Sequence, residues 1–256
     1  MQNLGYEIIF QTIIFLILSL VIGSFLANLA QRMSLGECVL SGRSRCLFCA
    51  TKLGVVELIP VFSWIGLRGR CRHCGTGISP FYVIMEILAV LLFIWSLLVL
   101  SPDYLWAGCL LGWSLLALSA IDLKIYRLPD FLTLPLIVLG VFFNSMITPE
   151  LTTHFVIGAI VGYILFMAVA VFYRRLRGRE GLGLGDAKLL SAAGAWVGWQ
   201  GLASVIMIAA LIGIIVAILW GRVMKKNLAI TKIPFGPFLS FALWLTWLYG
   251  PMVLTR

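Results

Sequence analysis

Charge is scarce in this sequence: Asp, Glu, Lys and Arg make up 11% of its 256 residues, while 62% are hydrophobic. That is too little polar surface to coat a soluble globule of this length, so a soluble class is excluded. Strand-like alternation of apolar and polar residues is missing too, which argues against a β-barrel and for helices that satisfy their backbone hydrogen bonds internally. No Lys or Arg precedes the first apolar run, and that run is too long for a signal-peptide core. It is therefore expected to be a retained helix rather than a cleaved leader. An internal repeat is absent as well, which weighs against a transporter built from related halves.

What is present is a series of uncharged apolar runs, near residues 8–30, 104–121, 131–147, 153–173, 201–221 and 233–250. A further run, 81–100, is interrupted only by Glu86, and 187–199 is a shorter candidate. The expectation is an all-α polytopic membrane protein of about eight transmembrane helices. The formal charge is +9, yet 18 of the 19 Lys and Arg fall in alternate loops, 31–80, 122–130, 174–188 and 222–232. Such asymmetry places those loops on the cytoplasmic side and both termini outside. The basicity reports topology, and no nucleic-acid partner is expected. Arg174, Arg175, Arg177 and Arg179 read as a cytoplasmic retention signal that also touches anionic lipid.

One loop is large enough to fold. Residues 31–80 carry CLFC and CRHCGTG, which set Cys46, Cys49, Cys71 and Cys74 in two C-x2-C pairs. Two close pairs at this separation suit a tetrahedral thiolate site, with zinc the first expectation; iron also accepts four thiolates. The alternative, two disulfides, fits poorly with a reducing cytoplasm. Four thiolates leave no open position for a reactive water, so the metal would be structural. His73 is expected to be exposed rather than coordinating. Cys38 and Cys109 lack a matching spacing, and Cys109 reads as a small apolar residue within the membrane.

Of only ten acids, Asp122 and Asp186 stand out. Asp122 ends a long apolar run, where the helix dipole disfavours an anion; Asp186 begins a helix after a glycine-rich turn, where the dipole favours one. Taken alone, each has a plain explanation, an N-cap for Asp186 and a Lys124 pair or water for Asp122. Topology, however, sends both to one membrane boundary, and acids at membrane depth are rare enough to mark function. Two carboxylates sharing a site hold one proton while the other draws a proton from intervening water, which is the equipment of peptide hydrolysis. Gly183 and Gly185 would let an extended substrate backbone approach Asp186, and Lys188 either orients an acidic group or snorkels to headgroups. Asp130, after Pro129, reads as first-turn stabilisation. Trp196, Trp199, Trp220, Trp244 and Trp247 read as an interfacial belt, and GAIVG at 158–162 as a close helix contact.

The ordered set of segments resembles the prepilin peptidases, membrane-embedded aspartic peptidases of type IV pilus and type II secretion systems. GSFLANLAQR (23–32) is similar to that family's first-helix signature. CLFC through IPVFSWIGLRGRCRHCG resembles its tetra-cysteine loop, DLKIYRLPD (122–130) its first catalytic segment, GLGLGDAKLL (181–190) its second, and IPFGPFL (233–239) its closing one. The resemblance implies that Asp122 and Asp186 are the catalytic pair. It also implies a bacterial inner-membrane location and a prepilin or pseudopilin substrate with a short cationic leader. Many members then methylate the new N-terminus with S-adenosylmethionine. Here ISPFYVIME (78–86) keeps Ile78, Tyr82 and Glu86 of the usual segment but has Phe81 where Arg is usual and Val83 where Pro is usual. Glu86 is accordingly either a snorkelling acid or a cofactor-binding residue of a methyltransfer site. The organisation expected is a first helix (1–30), a zinc-binding loop domain (31–80) and a peptidase domain (81–256). A proton-coupled transporter and a zinc-bearing scaffold of a secretion system are the competing readings.

Overall fold

The computed structural model describes residues 2–37, 43–178, 183–224 and 233–251. Cys38, Arg179, Lys225, Lys226, Lys232 and Arg256 lie outside the described residues, as do the first two residues of GLGLGDAKLL. The α-helices run in the order α1 (Gln2–Ser34), α2 (Phe62–Gly66), α3 (Phe81–Val99), α4 (Pro102–Ile125), α5 (Asp130–Ile147), α6 (Thr152–Arg177), α7 (Leu184–Met224) and α8 (Gly236–Tyr249). Among the described residues there is no strand, only two isolated bridges, Arg45 with Lys52 and Arg70 with Gly77. Among the described residues, and with α7 taken as one, six helices are long and apolar enough to cross a bilayer, and the chain is a multi-pass membrane protein. The sequence reading expects about eight. The two counts differ in how α7 and α8 are taken: α7 is two helices meeting at a kink at Gly198, close to the expected segments 187–199 and 201–221, and α8 runs for 14 residues.

Within α7, Gly198 has φ 72° and ψ 172°. A left-handed residue there interrupts the ladder and strips the preceding carbonyls of their usual donors. The Asn144 side chain on α5 supplies replacements: its Nδ2 donates to the carbonyls of Ala195 at 3.1 Å and Trp196 at 3.3 Å.

Contacts group the chain into two compact units, residues 1–117 and 118–256. In the first, α1 lies directly on α3. A Cβ on Gly23 would meet the Glu86 Cα at 2.6 Å, so only glycine permits that approach. Phe15 stacks on Phe93 at 5.7 Å and meets the edge of Trp106 at 4.6 Å. Cys109 is buried, as expected.

In the second unit α6 and α7 touch backbone to backbone. A Cβ on Gly194 would overlap the Gly158 carbonyl, and one on Gly158 or Gly162 would overlap the carbonyls of Gly194 or Leu190. The GAIVG spacing is thus a small-residue contact, locked by the Ser191 hydroxyl donating to Ala159 O at 2.8 Å. The tryptophans correct one expectation. Trp199 and Trp220 are exposed, but Trp196 and Trp244 are each only 2% exposed. They meet Trp247 at 5.7 and 6.2 Å, and the Trp196 indole N–H donates to Leu136 O at 2.9 Å. With a polar partner inside the bundle, that ring has no need of the interface.

Candidate active site and metal centre

The metal centre is built from two matching turns. In the first, the Cys46 N–H donates to Thr51 O at 3.0 Å and the Ala50 N–H to Cys46 O at 3.0 Å. In the second, the Cys71 N–H donates to Thr76 O at 2.8 Å and the Gly75 N–H to Cys71 O at 2.9 Å. Both reverse through a left-handed residue, Ala50 (φ 56°) and Gly75 (φ 73°). A left-handed residue lets each turn bend tightly around its thiols.

The four sulfurs lie within 4.8 Å of one another. Cys46 and Cys74 are 3.8 Å apart, and a tetrahedron with metal–sulfur bonds of about 2.3 Å has edges of about 3.8 Å. The donor set therefore fits a tetrahedral thiophilic ion, and the described cysteines form no disulfide. The Thr76 hydroxyl, 3.3 Å from Cys74 Sγ, together with its backbone N–H, holds the Cys74 thiol down at about 6. Thr51 lowers Cys49 in the same way. His73 is exposed, and its Nε2 lies 3.7 Å from Glu57 Oε1 rather than turned to the sulfurs.

Glu86 does not snorkel. It is 4% exposed, accepts the Val61 N–H at 2.8 Å and is hydrogen-bonded to the Ser24 side chain. Val61 holds φ at 62°, a strained value for a β-branched residue, and this bond helps to keep it there. Glu86 also lines a cavity of about 560 Å³ together with Asn28, Arg32, Trp64 and Tyr82.

Asp122 and Asp186 both belong to the unit 118–256. Asp122, in the last turn of α4, is 5% exposed, and its Oδ2 accepts the Gly236 N–H at 3.0 Å, the first amide of α8. Asp186 occupies the third position of α7, and its Oδ2 accepts the Gly183 N–H at 3.3 Å, the reach-back half of a capping box. The two carboxylates lie within electrostatic reach of each other. Glycine keeps Asp122 in place: a Cβ on Gly236 would fall 2.6 Å from Oδ2 and 3.1 Å from Cγ.

Among the supporting residues, Gly185 departs from expectation, and Lys188 takes the first of its two expected roles. Gly185 turns its bare face to Leu128, where a Cβ would lie 2.9 Å from the Leu128 Cβ, so packing accounts for it. Lys188 pairs with Asp130, Nζ to Oδ1 at 2.5 Å. Asp130 is more than a first-turn charge, since it joins the segment after Asp122 to the helix that carries Asp186. Gly183 is exposed beside Asp186. Sequence reasoning missed Gly236 as the donor to Asp122, although IPFGPFL marked the segment.

Comparison with known proteins places these segments. The Type IV leader peptidase family matches residues 109–218, and the Bacterial Peptidase A24 N-terminal domain matches residues 17–100. A protein of Aeromonas hydrophila named prepilin leader peptidase/N-methyltransferase is 41% identical over 213 residues, covering 82% of this chain and 73% of its own. One of the same name from Dichelobacter nodosus is 41% identical over 214 residues, 82% and 72% of the two chains. Another, from Pectobacterium carotovorum subsp. carotovorum, is 38% identical over 198 residues, 77% and 71% of the two chains. No solved structure matches this chain. Identity at this level over most of both chains, together with the family match, makes this chain a member of the type IV leader peptidase family.

Proposed function

We propose that this chain is an aspartic endopeptidase that removes the short cationic leader of a type IV prepilin or type II secretion pseudopilin at the cytoplasmic face of the bacterial inner membrane. Asp122 and Asp186 form the catalytic pair. The observation that carries this reading is the placement of two acids, 64 positions apart in the chain, at neighbouring helix ends within reach of each other's charge. One carboxylate holds a proton, and the other takes a proton from a water between them. The hydroxide so formed adds to the scissile carbonyl, and the held proton passes to the leaving amine. Gly183, exposed beside Asp186, offers the substrate backbone a face without a side chain. Gly185 and Lys188 act through Leu128 and Asp130, holding the two aspartate segments in register.

Residues 31–80 carry a structural metal, with zinc the ion that best fits two matching thiolate turns. Peptide cleavage belongs to 81–256. A methyl donor such as S-adenosylmethionine would supply an electrophilic methyl for the new N-terminal amine. The cavity beside Glu86 has the volume for it and offers a buried carboxylate, the amide of Asn28 and the rings of Trp64 and Tyr82.

The test incubates purified chain with a precursor peptide and follows leader release, comparing wild type with Asp122→Asn and Asp186→Asn. Each amide keeps a side-chain oxygen for the backbone bond its parent accepts, so the variants fold. Leader release at the wild-type rate by either variant overturns the assignment.

A further inference from the structure

The two cysteine turns share bond pattern, left-handed residue and threonine, so the metal makes the same demand of each. Their tips nevertheless differ in kind. The second tip is Arg72–His73; the first is Leu47–Phe48, with Phe48 80% exposed. Nothing in thiolate ligation calls for an exposed phenyl ring. More apolar side chains stand exposed in the same loop, Val55, Val56, Phe62 and Ile65. Together they exceed the scatter of single apolar residues found on a water-facing surface.

We propose that the Leu47–Phe48 tip and the 55–65 segment insert into the headgroup boundary of an anionic bilayer. Three observations support this occupant. The loop is tethered at both ends, leaving α1 at Ser34 and entering α3 at Phe81, and both helices are of spanning length and apolarity. Leu47 and Phe48 line the same cavity as Val21 and Phe25 of α1. Val21 and Phe25 are themselves exposed within the spanning stretch Phe10–Ser34. Phe25 precedes the helix end by about 13 Å at about 1.5 Å per residue, so the cavity that the tip helps to line also borders the spanning part of α1. Finally, the exposed cations of the loop are Arg43, Lys52, Arg68, Arg70 and Arg72, with Arg45 paired to Glu37 at 3.0 Å, while Glu57 is the other described acid. Apolar anchors set among cations match an anionic surface. A substrate with a cationic leader, by contrast, would be repelled.

The experiment places benzoylphenylalanine at Phe48 or, separately, at His73 in the full-length chain. Each is reconstituted in nanodiscs of phosphatidylcholine with or without phosphatidylglycerol, irradiated with precursor peptide present, and its adducts are identified by mass. Expected are lipid adducts at 48 several-fold more abundant than at 73, with phosphatidylglycerol over-represented relative to its share of the disc. Metal content checks that the labelled loop is intact. Should the label at 48 strip the metal, one at Val55, away from the sulfurs, carries the same expectation. Equal lipid yield at 48 and 73, adducts mainly to the peptide, or no preference for the anionic lipid overturns the proposal. Leader release is followed in the same sample, so loss of peptidase activity is read separately from loss of lipid contact.

Discussion

Gly236→Ala is the sharpest probe of the carboxylate site. The new methyl would lie 2.6 Å from Asp122 Oδ2 and 3.1 Å from its Cγ, so the carboxylate must turn away. The residue that pushes is the same one whose N–H holds Oδ2 at 3.0 Å. A hydrogen bond to a charged group is worth about 1.5–3 kcal/mol. At about 1.4 kcal/mol per tenfold, losing it together with the alignment lowers kcat for leader release by about 10- to 100-fold. Stability should move little, because the atom displaced is the free end of a short side chain and Gly236 has no positive φ that alanine would strain. The matched control is Gly213→Ala on α7, whose methyl would meet Phe238 at an ordinary 3.4 Å. Single-turnover cleavage of a precursor peptide, with thermal unfolding of both variants in detergent, reads the contrast. If Gly236→Ala cleaves at the rate of Gly213→Ala, the Asp122 carboxylate is not where the chemistry needs it.

Four further outcomes follow from the geometry. Lys188→Met and Asp130→Asn each break an ion pair whose side chains are 26% and 58% exposed. Their stability cost should stay below about 1 kcal/mol, while leader release slows about 2- to 5-fold and the double variant is no slower than either single one in a kinetic cycle. Cys74→Ser should abolish retention of metal, measured by elemental analysis, yet leave leader release in place, because the aspartates belong to the other compact unit. In the wild type the Cys74 thiol, lowered to about 6, is a ready thiolate ligand above that pH. Metal affinity should fall as the medium is acidified through it, since protons then compete for the sulfur. Gly194→Ala forces a methyl onto the Gly158 carbonyl, and overpacking between backbones should cost about 1–3 kcal/mol in unfolding measurements.

Much of this was legible in the chain because the signals were local. A C-x2-C pair closes its own turn, so its spacing announces it, and the apolar runs announce the helices. The small residues of 158–162 told of a close contact but not of its partner, since Gly194 lies on another helix. What escaped was set by tertiary partners. Trp196 looks interfacial from its place near a span end, but Leu136 O supplies the polar partner that draws its ring inward. Lys188 looks like a snorkelling cation until Asp130, 58 residues away, comes within 2.5 Å. The kink at Gly198 falls at the boundary expected between 187–199 and 201–221, so the break was legible in the apolar runs, whereas the positive φ that makes it was not.

The placement of the two aspartates also bears on how a bilayer protein can hold acids at all. Helix termini in lipid leave amides without water to satisfy them, and each orphan group is costly. Asp186 meets that need at the start of α7 by accepting the Gly183 N–H, and Asp122 meets it at the start of α8 by accepting the Gly236 N–H. Each carboxylate therefore completes a helix end, and the positive end of a helix dipole lies beside each. The amide bond to each uses one carboxylate oxygen, Oδ2 in both cases. A pair of capping residues brought within reach of each other is thereby also a pair poised to share a proton, and the folding requirement of the bundle and the chemistry proposed for it are met by the same side chains.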